Sequence, residues 1–234
     1  MAIASKRIRK ARELINPELK YSLNDAIGIF QEYRNNFTVK FDESVEVAIK
    51  LNLDPKQADQ MVRGAVTMPH GLGKTIKVAV IAGPECMNEA KAAGADMYGS
   101  DEFIEEIKNG RNDFDVIISH PNMMIKLAKV GRILGPLGKM PNIKLGTVTE
   151  DIANAVKNAK SGQVEYKVEK SGIVHAAVGK ISFGVDEIKE NIVVLYNALL
   201  GAKPSGAKGV YVKNFCLSSS MGPSIVLDLD SISG

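Results

Sequence analysis

Phe41-Asp42-Glu43-Ser44-Val45-Glu46-Val47-Ala48-Ile49-Lys50-Leu51-Asn52-Leu53 decides how this chain folds. Phe41, Val45, Val47, Ile49, Leu51 and Leu53 occupy alternate positions, with Glu43 the one exception, so the strand they predict has one buried face and one wet face. Further along, Ile76 to Ala82 is almost continuously apolar, the mark of a strand covered on both sides. Two strand styles in one chain argue for two domains.

On the N-terminal side of the first strand, Lys6-Arg7-Ile8-Arg9-Lys10-Ala11-Arg12 reads as a basic, mobile arm. A helix follows from Ser22, capped through Asp25, with Leu23, Ala26, Ile27 and Phe30 on one face. Around Ile76 to Ala82, helices at Glu85 to Ala93, Ser100 to Asn109 and through Met124 to Ala128 alternate with strands at Asp96 to Tyr98 and Phe114 to Ser119. Ser100 is the expected cap of the second of these. Gly131 to Gly146 reads as a kinked loop, and a helix starts at Thr147 with Glu150 as its capping partner. The two-residue period then returns. Val164, Tyr166 and Val168 lead to a turn at Glu169-Lys170-Ser171-Gly172, and Ile173 to Ile181 comes back as the second arm of a hairpin. A helix spans Val185 to Leu200, and the last strands flank Ser218-Ser219-Ser220-Met221-Gly222-Pro223-Ser224.

The simplest architecture is an α+β domain made from both chain ends, residues 1–67 and 161–234, with an α/β domain, residues 68–160, inserted between them. Gly64, Gly71, Gly73, Ser161 and Gly162 are the small-residue places for the two crossings and the expected hinge.

Composition narrows the functions. Aromatic residues make up 6% of the chain and there is no Trp, which excludes a broad base-stacking platform. The net charge of +3 is unevenly spread: residues 122 to 146 hold five Lys/Arg and no acid, whereas residues 85 to 115 hold nine acids against three bases. The basic stretches suit a polyanion, or are solvated faces. Two cysteines are too few for a disulfide framework, and no apolar run approaches a membrane span, so a soluble cytoplasmic protein is expected.

Gly71-Leu72-Gly73-Lys74-Thr75 ends like a phosphate-binding loop, but Met68 stands where the pattern needs glycine and the loop precedes a strand. His70, His120 and His175 lie at no metal-ligand spacing, and no nucleophile elbow or carboxylate pair is present, so catalytic residues, metals and cofactors are not expected. Two stretches offer contacts instead. The Ser218 to Ser224 segment carries hydroxyls, open backbone and a soft thioether, and is either a contact surface or a polar turn. Arg132, Lys139 and Lys144, in and beside the Gly/Pro-rich stretch from Gly131 to Asn142, are cations that phosphates would seek, or a charged lid. His175 could reach a phosphate or a 2′-hydroxyl, or be structural.

Phe41-Asp42-Glu43-Ser44-Val45-Glu46-Val47, Val62-Arg63-Gly64, Met68-Pro69-His70-Gly71-Leu72-Gly73-Lys74, Gly131-Arg132-Ile133-Leu134-Gly135-Pro136, Gly146-Thr147-Val148 and Ser220-Met221-Gly222-Pro223-Ser224 stand in this order. In that order they resemble the family of bacterial large-subunit ribosomal protein one, found in the mobile stalk beside the tRNA exit site. The likeness runs from about Arg12 to Ser224. It implies a split β-α-β domain from both chain ends, an inserted Rossmann-like three-layer unit, and no enzymatic activity. It also implies binding to a helical junction of large-subunit rRNA, help in releasing deacylated exit-site tRNA, and repression of the protein's own operon through its mRNA. Other ribosomal components would be neighbours, and the free protein would be a monomer. The implied RNA contacts are Phe41, Ser44, Lys170, Ser171, Gly172, His175, Ser220, Met221 and Gly222, with Lys40, Ser218 and Pro223 beside them. The family often has Thr at the positions of Ser44, Ser171 and Ser220, and serine keeps the hydroxyl while dropping a methyl. Two rivals remain, a nucleotide-using enzyme built on the inserted domain and a dedicated messenger repressor.

Overall fold

The computed structural model describes residues 6–37 and 39–232. Two compact units form, one from the residues up to Gly73 with those from Val164 onward, the other from Lys74–Gln163. The first unit begins with α1 (Lys6–Glu13), a helix where a mobile arm was expected. Ala11 is fully buried and Ile8 half-buried, so a narrow apolar stripe anchors a segment whose charge reads as tail. Then comes α2 (Leu23–Asn36), with Ser22 as cap: its Oγ accepts from the Asp25 amide and donates to the Asp25 carboxylate at 2.7 Å. Leu23, Ala26, Ile27, Phe30 and Tyr33 are buried.

The sheet of this unit is antiparallel, in the order β7 (Ile173–Lys180), β1 (Ser44–Leu51), β8 (Val212–Ser219), β9 (Ser224–Val226). Its inner rows are set by register. Val47 pairs with Ala176 and Leu217, and Ile49 with Val174 and Phe215, all buried. These rows share one core with α2 and with α8 (Val185–Gly201), whose Ile188, Ile192, Leu195 and Leu199 recur at helical spacing. The strand begins at Ser44, not Phe41, because Phe41 is 54% exposed while Glu43 turns inward and is 2% exposed.

Two further strands, β2 (Arg63–Thr67) and β6 (Gln163–Lys167), pair with each other in a separate ribbon. The turn at Glu169 to Gly172 is present, closed by the Gly172 amide on Glu169 O and the Glu169 amide on Ile173 O. The expected hairpin is not, since β7 pairs with β1 and only the Val168–Val174 bridge joins the two arms. Both strands alternate, and alternation carries no record of the partner.

The unit boundaries fall at Gly73/Lys74 and Gln163/Val164, a few residues beyond 67/68 and 160/161. Met68 is buried in the first core, and the fully buried Asn191 of α8 holds the segment after it. Its amide donates to Gly71 O at 3.1 Å and Val178 O at 2.8 Å, and its Oδ1 accepts from the His70 amide at 3.2 Å.

The second unit has a parallel sheet in the order β4 (Met97–Gly99), β3 (Val78–Ile81), β5 (Val116–Ser119), extended by a Ser119–Val148 bridge. Ala79 and Ile81 face one layer, which contains α4 (Asp101–Lys108), α5 (Met124–Leu127) and α6 (Gly131–Leu134). Val78 and Val80 face the other, made by α3 (Met87–Ala92) and α7 (Ile152–Lys160). Burial on both sides is why these strands read as continuous apolar runs. The Rossmann-like three-layer form is present. Its helix caps differ from expectation: the Ser100 side chain makes no cap bond, and α7 starts after Asp151, whose carboxylate accepts from the Asn154 amide at 3.0 Å. Thr147 is buried instead and holds Asn142, accepting from its amide at 2.7 Å.

Candidate nucleic-acid interface

Because residues paired across antiparallel strands share a face, the register of β1 also defines the outer rows of the first unit. His175, Ala48, Cys216 and Val226 form one row, and Ala177, Glu46, Ser218 and Ser224 the next. None of these eight residues is buried. This face is open, and it carries His175 and Ser218 of the expected contacts.

The other contacts gather at its two ends. At the Ser44 end, the Ser44 amide donates to Ser220 Oγ at 3.1 Å and the Ser220 amide to Ser44 O at 3.0 Å. Lys180 donates to Ser44 Oγ at 2.9 Å. Phe41 and Met221, 54% and 45% exposed, are the large apolar side chains of this end. At the other end, Lys170 and Ser171 are exposed, and Gly172 is buried with φ 75, its carbonyl accepting from the Leu51 amide at 2.9 Å. A side chain at Gly172 would meet both that left-handed backbone and the Leu51 and Leu53 carbonyls. Lys50 donates to Ser171 O. From Ser44 to Lys50 the strand runs about 20 Å at ~3.3 Å per residue. The expected residues therefore gather in two clusters at and beyond the two ends of β1, with His175 of β7 and Ser218 of β8 on the face between them. Pro223 is buried within its turn, and Lys40 is exposed ahead of Phe41.

Glu43 is the residue that the expectation missed. Its Oε2 accepts from Ser219 Oγ at 2.6 Å and from the Met221 amide at 2.9 Å, and its Oε1 accepts from the Tyr33 hydroxyl at 3.3 Å. Tyr33 also lies 3.1 Å from Met221 O. Burial, and then the Glu43 charge, push the Tyr33 hydroxyl above its ordinary pKa. One buried carboxylate thus fixes the turn that presents Met221. Gly222 closes the same cluster: a Cβ there would stand 2.2 Å from Ser219 Oγ and 3.3 Å from the Tyr33 ring. The signal was in the sequence, since Glu43 is the single polar residue on the buried side of an otherwise apolar alternation.

The second unit's basic loop divides. Arg132 and Lys144 are exposed. Lys139 is engaged inside the unit, its ammonium 2.6 Å from Asn112 Oδ1 and 5.0 Å from the centre of the Phe114 ring, and it is not free for a phosphate. Of the expected hinge residues, Gly71, Gly73 and Gly162 have φ of 65, 65 and 97, Gly64 lies in β2 against the Tyr166 ring, and Ser161 donates to Asn158 O. Among the described residues no group of acidic, His or Cys side chains is placed to hold a metal, and no helix is long and apolar enough to cross a membrane.

Residues 31–223 match the sequence model of the ribosomal protein L1p/L10e family. This chain belongs to that family. The match takes in the β7, β1 and β8 part of the open face, the Met221 turn up to Pro223 and the whole second unit. The large ribosomal subunit protein uL1 of Rickettsia akari (strain Hartford) is 52% identical over 227 residues, covering 97% of this chain and 94% of its own length. Its namesake in Rickettsia prowazekii (strain Madrid E) is 52% identical over 229 residues, covering 98% and 95%. As a member of the L1p/L10e family the chain is a structural ribosomal protein and not an enzyme.

Proposed function

We propose that this L1p/L10e protein is a constituent of the large ribosomal subunit that grips a helical junction of its rRNA with the open face of the first unit. The arrangement of contacts along β1 carries this reading. Hydroxyls and main chain at Ser44, Ser171 and Ser218 suit the sugar-phosphate face of an RNA helix, which is recognised by shape and 2′-hydroxyl contacts. Met221 and Phe41 expel water at one end, and Lys50, Lys170 and Lys180 supply the field that draws the polyanion in. The same face would take a mimic of the junction in the protein's own operon mRNA and so repress translation. With the rRNA held, the protein would help release deacylated tRNA from the exit site. Gly73 and Gly162, both left-handed and next to the unit boundaries, are the places where the chain would bend as it does so.

Filter binding of the full chain to an rRNA junction fragment tests the core of this reading. Met221→Ala is expected to weaken binding at least tenfold with the fold intact, and Lys170→Gln to make the salt dependence shallower by about one. Wild-type affinity in the folded Met221→Ala protein would remove the sheet face as the site. Competition of the operon leader RNA against the same fragment separates one shared surface from two.

A further inference from the structure

A second concavity of the first unit adjoins the open face along β9 and shares Ser218 and Ser224 with it. A groove of about 660 Å³ runs between α1 and the turn after β8, with Ile8, Arg12 and Ile15 on one wall and Ser218, Pro223 and Ser224 on the other. The helix that forms it is built against its own stability. Its eight residues include Lys6, Arg7, Arg9, Lys10 and Arg12, opposed only by Glu13. Lys6 and Lys10 are like charges four apart, and Lys6 and Arg7 sit at the positive end of the helix dipole. A helix this short is marginal unless something else supports it. Lys6, Arg9, Lys10 and Arg12 are nevertheless exposed, and Arg12 lines the groove together with Ser218 and Ser224. Arg7 also acts electrostatically on Tyr33, within the network that fixes the Met221 turn.

We propose that this groove takes one sugar-phosphate strand of the bound RNA, clamped between the cations of α1 and the hydroxyls of Ser218 and Ser224. Guanidinium and hydroxyl groups facing each other across a trough match phosphate oxygens on one side and 2′-hydroxyls on the other. The phosphates would relieve the self-repulsion of α1. This extends the interface around the β9 edge of the open face and rests on the RNA-binding reading above.

The test is filter binding of the rRNA junction fragment to the full chain across a salt series, with Lys10→Gln/Arg12→Gln and, separately, Ser224→Glu. The double variant is expected to bind about tenfold or more weakly at low salt, with a salt slope shallower by about 2, since each phosphate contact contributes about 0.9. Ser224→Glu puts a negative charge into the trough without altering α1, and is expected to lose at least tenfold with unchanged far-UV circular dichroism. If the double variant loses helix, Ser224→Glu decides. Wild-type affinity in Ser224→Glu, or a wild-type slope in a folded double variant, overturns the groove. Failure of the wild-type chain itself to bind would instead overturn the reading on which the proposal rests.

Discussion

Glu43→Ala is the perturbation whose outcome the geometry constrains most. The substitution removes the acceptor of Ser219 Oγ and of the Met221 amide, and one of two acceptors near the Tyr33 hydroxyl, which retains Met221 O at 3.1 Å. Hydrogen bonds to a charged group contribute about 1.5–3 kcal/mol each, and two are lost outright, so the first unit should be destabilised by about 3 kcal/mol. With a urea slope of about 2 kcal/mol/M, the midpoint falls by roughly 1.5 M. Tyrosine fluorescence follows this unit selectively, because five of the six tyrosines lie in it and only Tyr98 in the other. Freeing the turn also adds an ordering cost of at least one residue, about 1–2 kcal/mol, which is about 5- to 30-fold in RNA affinity. Glu43→Gln keeps an acceptor for the Ser219 hydroxyl and the Met221 amide, and should recover most of both losses. An unchanged urea midpoint together with unchanged RNA affinity in Glu43→Ala would refute the role given to this carboxylate.

Three other outcomes follow from buried or capping polar groups. Asn191→Ala strips partners from the Gly71 and Val178 carbonyls and the His70 amide, and should cost the first unit about 2–4 kcal/mol in urea denaturation. The Tyr211 hydroxyl is buried with no hydrogen-bond partner among the described residues, and burial, then Tyr166, push its pKa up to about 12. Tyr211→Phe should therefore leave the urea midpoint unchanged or raise it, and a loss of stability of more than about 1 kcal/mol would mean that the hydroxyl has a partner. In the second unit, the backbone amides of Val78 and Lys77 hold Asp96 and Asp115 below their ordinary pKa of 3.8, with Lys160 and Lys74 adding to the effect. A depressed carboxylate stabilises fully above its unfolded pKa and loses that contribution as pH falls through the folded value. The second unit should thus lose stability below about pH 3.8, and Asp96→Asn/Asp115→Asn should reduce that acid-dependent loss in circular-dichroism titration.

Much of this fold is legible along the chain because its two units bury their strands differently. Alternation at Val45 to Leu51 announces a face left open, and the continuous run at Val78 to Ile81 announces a layer on each side. What the pattern does not carry is pairing. Val164 to Val168 and Ile173 to Ile181 look like one hairpin, yet β6 joins β2 and β7 joins β1, choices made by contacts more than a hundred residues apart in sequence. Nor does charge reveal order. Ala11 and Ile8 are enough to fold α1 onto the first unit although most of its residues are cationic. At the interface, exposed residues such as Met221 and His175 could be named from the sequence, but Lys139 could not be seen to spend its charge on Asn112 and Phe114. Glu43 stood in plain view as a break in the alternation. Its meaning needed Ser219 and Met221, which only the fold brings beside it.

Oxidative side-chain footprinting of the free protein and of its complex with the rRNA junction fragment puts the interface itself on trial. Phe41, His175 and Met221 are exposed and reactive, and they sample one end and the middle of β1, while the exposed Tyr98 of the second unit serves as reference. Loss of reactivity at all three, with Tyr98 unchanged, is the predicted result. Undiminished oxidation of Phe41, His175 and Met221 in the saturated complex would contradict it.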